Sequence, residues 1–206
     1  MVLTQGFLQL TDDEAAGLGA LSARPWPTPL PTVADEEAAL RAAAMRGIRS
    51  LLVRELAEVA DGRPVPGAEV ARVMEHVHRR GLRIAVTAVS DDSSAPAFAW
   101  YHYGDADATT WLTEGVTADG VRLLELTPRE ECLDAVRRAV RDAGEEGLSD
   151  DGSRQLVVAS YRADGGHLLR CDRALVELTS LDAEGRPTGE PDGSLTLEQA
   201  LTATLA

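Results

Sequence analysis

Two hydrophobic rhythms alternate along the chain: runs that repeat every second residue, as in strands, and stretches that repeat every three or four, as in helices. Gly6 to Leu10 reads as a first strand, and Asp12 to Ser22 as a helix carrying Ala15, Leu18 and Leu21. Pro25-Trp26-Pro27-Thr28-Pro29-Leu30-Pro31 then forbids regular structure, because proline lacks a donor and biases its predecessor towards extended geometry. Thr32, with Asp35 three residues on, opens a longer helix through Leu40, Ala44, Ile48, Leu51, Leu52, Leu56 and Val59, closed by Asp61-Gly62-Arg63-Pro64. A further helix spans Pro66 to Arg80, with Val70, Val73, Met74 and Val77 on one stripe and Gly81 as its C-cap.

The rhythm then changes. Leu82 to Val89, Ala97 to Tyr103, Thr109 to Glu114 and Val121 to Leu126 read as strands, separated by the turn sequences Asp91-Asp92-Ser93-Ser94, Gly104-Asp105 and Asp119-Gly120. A helix from Thr127 to about Ala143 buries Leu133, Val136, Ala139 and Val140, and an acidic Gly/Ser loop follows. Gln155 to Tyr161, His167 to Cys171 and Ala174 to Leu181 form a second meander, and the excursion Asp182 to Ser194 leads to a last helix ending at Leu205. Three capping boxes punctuate this order, at Thr11 with Glu14, Thr127 with Glu130 and Thr196 with Gln199. In each, the threonine hydroxyl accepts from a first-turn N–H and the Glu or Gln reaches back to the cap.

The predicted fold class is α+β: antiparallel strand meanders packed with helices, with a strand-strand-strand-helix unit given twice in a degenerate pseudo-twofold duplication. Residues 1–206 form a single domain, with halves 1–143 and 154–206 joined by the acidic loop 144–153. A chain of 206 residues buries enough surface for a core without covalent staples. Cys132 and Cys171 fit neither a disulfide framework nor a four-ligand zinc site, and read as packed thiols in a reducing compartment. The opening Met1-Val2-Leu3-Thr4-Gln5 lacks a basic leader region and no apolar run reaches the roughly 20 residues of a membrane span, so a cytoplasmic location is expected.

Charge narrows the chemistry. With 34 acidic against 20 basic residues, the formal net charge of -14 disfavours nucleic acid as a partner. All 20 basic residues are arginine, a pattern that codon bias in a GC-rich genome explains, and the absence of lysine removes lysine Schiff-base, phosphate-loop and general-base chemistry. Gly104-Asp105-Ala106-Asp107-Ala108-Thr109 matches the Asp-x-Asp-x-Thr nucleophile string of haloacid-dehalogenase-like phosphatases, in which Asp105 would attack phosphorus beside a magnesium ion. That site also wants a downstream lysine and a parallel strand; hairpin turns flank the string here, and a plain turn is the favoured reading. His76 and His78 stand two apart on a helix and point about 200° apart, so they make no metal pair, and His102 and His167 sit on strands. No nucleophile elbow, glycine-rich phosphate loop or His-Glu-x-x-His string occurs, and no catalytic residue, cofactor or metal is expected.

Phe98, Trp100, Tyr101, Tyr103 and Trp111 concentrate the scarce aromatics in two neighbouring strands, on both faces. Core packing accounts for either set alone; an exposed set would be the partner surface, and Tyr101, Tyr103 and Trp111 are the candidate contacts.

The run Leu21-Ser22-Ala23-Arg24-Pro25-Trp26-Pro27-Thr28-Pro29-Leu30, followed by Asp35-Glu36-Glu37-Ala38-Ala39-Leu40-Arg41-Ala42-Ala43-Ala44, resembles the N-terminal part of the EspG family of ESX (type VII) secretion-associated chaperones of actinobacteria. Arg154-Gln155-Leu156-Val157-Val158-Ala159, Arg162-Ala163-Asp164-Gly165-Gly166, Glu184-Gly185-Arg186 and Asp192-Gly193-Ser194-Leu195-Thr196 are similar to its C-terminal half. The resemblance implies a cytoplasmic, non-catalytic, EspG-like fold that binds the helical tip of a secreted heterodimer such as PE–PPE. Two other expectations stand beside that chaperone or adaptor role: an immunity protein that neutralises a toxin, for which acidity is equally natural, and a magnesium-dependent phosphatase using Asp105 and Asp107.

Overall fold

The computed structural model describes residues 7–78, 81–90, 99–145, 148, 154–173 and 175–205. Phe98, the Asp91 to Ser94 turn and most of the acidic loop 144–153 lie outside the described residues.

The protein is α+β. Eight strands form an antiparallel sheet: β1 (Leu8–Thr11), β4 (Leu82–Ser90), β5 (Ala99–Gly104), β6 (Thr110–Val116), β7 (Val121–Pro128), β8 (Arg154–Arg162), β9 (Gly165–Cys171) and β10 (Val176–Leu181). Their order is β1-β7-β6-β5-β4-β8-β9-β10. A separate hairpin pairs β2 (Ala57–Ala60) with β3 (Arg63–Pro66). The helices are α1 (Asp12–Ser22), α2 (Glu37–Val53), α3 (Ala68–Val77), α4 (Arg129–Glu145) and α5 (Leu197–Leu205). Two compact units divide the chain, residues 1–79 with 116–125, and 80–115 with 126–206, so the compact units follow a different cut from the halves 1–143 and 154–206.

In the first unit, α1 starts as its sequence dictates. Thr11 Oγ1 accepts the Glu14 N–H at 3.2 Å, and Glu14 Oε2 accepts the Thr11 N–H at 2.9 Å, closing the capping box. The helices α1 and α2 cross closely because Gly17 and Gly47 face one another's backbones; a Cβ at Gly47 would fall inside the Asp13 carbonyl. The expected long second helix is corrected at both ends. It begins at Glu37, with Glu36 as an N-cap that makes no side-chain cap bond, because Thr32 gives its N–H and hydroxyl to Asp12 Oδ2 instead, both at 2.8 Å. It ends at Val53, where Glu55 takes φ 59° and the Leu56 N–H reaches back to the Leu51 carbonyl. Leu56 and Val59 therefore lie beyond the helix, and Asp61-Gly62, at φ 51° and 74°, turns a β-hairpin rather than closing a helix.

Three buried or half-buried carboxylates at the start of α1 each meet a different arginine. Asp12 Oδ1 accepts from Arg122 Nε at 2.9 Å, Asp13 takes both Nε and Nη2 of Arg46 at 2.6 and 2.8 Å, and Glu14 accepts from Arg54 at 2.7 Å and from Ser50 at 2.7 Å. Arg122 is 0% exposed. It also donates to Thr28 Oγ1 at 2.8 Å and to the Pro29 carbonyl, and lies 5.9 Å from the Trp26 ring, so the proline connector is held to β7 by one guanidinium.

The second unit has a different interior. β4 and β8 pair antiparallel at its centre, Val86 opposite Val158, and the two meanders β4-β5-β6 and β8-β9-β10 run outward from that pair in opposite directions. A local two-fold axis between β4 and β8 would generate this order. One face of the sheet, through Leu82, Ile84, Val86, Trp111, Leu156, Val158, Leu169 and Cys171, packs against Cys132, Leu133, Val136 and Val140 of α4 and Ala200 and Leu201 of α5. The α5 cap forms as expected, with Gln199 N–H to Thr196 Oγ1 at 3.3 Å and Thr196 N–H to Gln199 Oε1 at 2.9 Å. The middle box is corrected: β7 continues through Thr127 to Pro128, and α4 starts at Arg129, whose N–H bonds the Thr109 carbonyl at 2.9 Å.

Candidate functional site

The residues singled out from sequence separate when placed. Trp111 is 0% exposed and Tyr103 2%, so burial removes both from the accessible surface and the contact expectation passes to Tyr101, which is half-buried. The Trp111 indole N–H donates to the Asp105 carbonyl at 2.9 Å, the Arg129 guanidinium lies 5.6 Å from its ring, and its edge fills the space a Cβ on Gly104 would need. Tyr103 donates its hydroxyl to the buried Glu114 carboxylate at 2.5 Å. Trp100, on the opposite face of β5, is 40% exposed.

Asp105 and Asp107 lie in the β5–β6 hairpin loop, closed by the Ala108 N–H to the Asp105 carbonyl at 3.1 Å, with Asp107 exposed at the tip. An antiparallel hairpin does not supply the strand-to-loop geometry the phosphatase string requires, and the plain-turn reading holds. Among the described residues no group of three His, Cys, Asp or Glu side chains is placed to hold a metal ion. Cys132 and Cys171 are free, buried thiols; desolvation pushes the Cys171 thiol up to about 12 and raises that of Cys132, so both are protonated and poor nucleophiles at neutral pH.

The second unit does carry a groove, of ≈ 480 Å³, beside α4. Its floor is Val86 on β4, Leu156 on β8, His102 and Trp100 on β5 and Thr113 on β6. Its walls are the flank of α4 formed by Ala135, Arg138, Ala139 and Asp142, and Leu148 from the segment after that helix. Helical geometry explains the flank. At about 100° per residue, Leu133, Val136, Val140 and Ala143 point to the core, Arg137 and Arg141 lie to one side, and Ala135, Arg138, Ala139 and Asp142 lie to the other. On the first side α5 packs, with Arg141 Nε 2.9 Å from Glu198 Oε1 and Leu197 against Gly144. The other side faces the groove.

Of the groove's floor, Val86, His102 and Leu156 are at most 4% exposed, and Trp100 on β5 is open to solvent beside Gly115.

One polar chain crosses the floor. His102 Nδ1 lies 3.1 Å from Thr113 Oγ1, which lies 3.4 Å from Cys132 Sγ. Burial lowers the His102 pKa to about 4, so its imidazole is neutral at physiological pH and presents no charge to the groove. The lowered pKa makes His102 a weak base toward the Thr113 hydroxyl.

Both edges of the sheet are occupied. On β1, the Gln9 carbonyl accepts from Arg54 at 2.9 Å and the Thr11 N–H is held by Glu14. On β10, Leu178 exchanges backbone bonds with Asp192 at 3.1 and 2.8 Å, and the Ser180 carbonyl accepts the Thr188 N–H at 2.9 Å. Strand addition at those positions is blocked, which leaves faces and grooves as the means of contact. The sequence places Trp100 beside its aromatic neighbours without choosing a face, and the α4 flank 135–138–139–142 is legible in it as a mixed Ala/charged row opposite the apolar stripe.

No helix among the described residues is long and apolar enough to cross a membrane. No protein-family model and no curated protein sequence matches the chain. Among solved structures, the type VII secretion system chaperone EspG5 of Mycobacterium tuberculosis, determined in complex with a PE25–PPE41 dimer, is similar at a TM-score of 0.45 and 13% sequence identity, over 97% of this chain and 95% of that one.

Proposed function

We propose that this chain is a non-catalytic binding protein whose partner contributes a helix to the groove beside α4, and that it serves as a cytoplasmic secretion-associated chaperone or adaptor. The groove beside α4 carries the reading: the exposed Trp100 borders it, and Ala135, Ala139 and Leu148 line its sides. An aromatic at the centre of such a groove is the residue type that dominates interface energies. The EspG-family resemblance of residues 21–44 and 154–196 names the class of partner, a helical secretion substrate kept soluble before export. Tyr101, on the other face of β5, is a second contact candidate.

The test is an affinity capture from the source lysate with the tagged chain and its Trp100→Ala and Ala139→Trp variants as baits, followed by mass spectrometry. A small helical secretion substrate retained by the parent chain and lost at least ten-fold with either variant is the expected result. Recovery of a toxin would assign the immunity role instead. Retention of nothing above control, or of a substrate that both variants hold equally, would overturn the groove as the binding site.

A further inference from the structure

The outer edge of β10 is closed by a segment that is itself a poor strand. Residues 182–194 double back along β10: the Thr188 N–H bonds the Ser180 carbonyl at 2.9 Å, Leu178 and Asp192 exchange bonds at 3.1 and 2.8 Å, and Gly193 passes the Val176 carbonyl. The bridges are isolated ones, Leu181 with Pro187 and Leu178 with Asp192. Between them β10 advances three residues and the returning segment five, so the excess bulges away from the ladder, and a Cβ on Gly189 would meet nothing within 4 Å. Every residue from Arg186 to Ser194 is exposed. The far side of the segment suits no further strand, because Pro187 and Pro191 carry no N–H and Glu190 adds a charge.

The strand beneath it is self-complementary. We infer that residues 182–194 are an edge guard, and that what they hold off is a second copy of this chain, paired β10 to β10 about a two-fold axis at Leu178. Leu178 turns both its N–H and its C=O outward, to Asp192, and two such residues facing one another exchange the same two bonds. In that register Val176 lies opposite Ser180 and Glu177 opposite Thr179, so no like charges meet. Val176 and Leu178 pack against the core of their own chain, and the pairing continues that apolar sheet face from one copy into the next. A strand pair buries less than the roughly 1,200 Å² of a standard interface, so the unguarded dimer is a weak one that forms at high concentration.

A Thr188→Pro, Asp192→Pro variant removes both N–H donors that hold the guard and changes neither β10 nor the core. In analytical ultracentrifugation the parent chain is expected to stay monomeric, and the variant to rise to twice that mass as concentration increases, with an unchanged circular dichroism spectrum. Leu178→Cys in the variant should then yield a disulfide-linked dimer on oxidation, because Cα atoms of a bonded antiparallel pair stand about 5.5 Å apart, within disulfide reach. Ser180→Cys, which faces Val176, should yield about ten-fold less. The native Cys132 and Cys171 are buried and supply no background. If the proline pair unfolds the chain, replacing residues 187–192 with Gly-Ser repeats gives the same readout. A folded variant that stays monomeric to millimolar concentration, a parent chain that dimerises as readily, or equal crosslinking at 178 and 180 would overturn the inference.

Discussion

The two units hold themselves together by opposite means. The first is tied by a partly buried ionic network: Asp12, Asp13 and Glu14, consecutive at the N-terminus of α1, each take an arginine from elsewhere in the unit, and of these pairs Arg122 with Asp12 is shielded from water. The second buries an apolar sandwich in which Trp111, Val158, Leu169 and Leu201 meet across one sheet face. The difference teaches where adaptability can reside. A buried ion pair fixes one geometry, because any displacement leaves a desolvated charge unpaired. An apolar layer tolerates repacking so long as its volume and patterning are kept.

Breaking the network should have the largest effect. Arg122→Ala leaves Asp12 buried without its cation, along with Thr28 and the Pro29 carbonyl, and should cost about 3–5 kcal/mol in urea unfolding. A loss below about 1 kcal/mol would show that the network contributes geometry rather than stability.

Acid should separate the units next. The folded pKa of His102, about 4, lies below the ordinary imidazole value, so the unfolded chain binds the proton more readily. Its stabilisation is complete above about pH 6.5 and is lost as pH falls towards 4, up to about 3 kcal/mol. In His102→Asn, the unfolding free energy should lose that part of its slope between pH 6.5 and 4; an unchanged slope would assign the acid response to other groups.

A smaller break falls at the helix crossing. Gly47→Ala pushes α2 away from the Asp13 carbonyl and should cost about 1–3 kcal/mol despite the better helix propensity of alanine, read as a drop in Tm. Smaller again is the contrast between caps. Thr11→Ala should cost about 1 kcal/mol, because its partner Glu14 is tied into the arginine network, whereas Thr196→Ala, exposed at the α5 cap, should cost about half that. Equal losses would mean that Glu14 is positioned without its cap.

The sequence by itself determined the element types, most of their order, the α+β class and two helix starts, because each depends on neighbours within a turn or a strand pair. Thr11 with Glu14 and Thr196 with Gln199 need only three residues to make their bonds. The same local logic misled at Thr32 and Thr127, where tertiary partners outweighed the cap. Thr32 is drawn to Asp12 across 20 residues, and Thr127 is retained by β7. The Asp61-Gly62 hairpin was legible in its turn dipeptide but hidden by an apolar period that continued through Leu56 and Val59.

Only the tertiary structure decided which aromatic faces water and which arginine meets which acid. Alternation along β5 says that Trp100 and Tyr101 point apart, but the packing of α4 and α5 decides that Trp111 is enclosed while Trp100 borders a groove. Arg122 and Asp12 are 110 residues apart, and among 20 arginines no local pattern marks the one that will be buried. The groove is likewise tertiary, because its lining comes from β4, β5, β6, β8 and α4, which meet only in the folded chain.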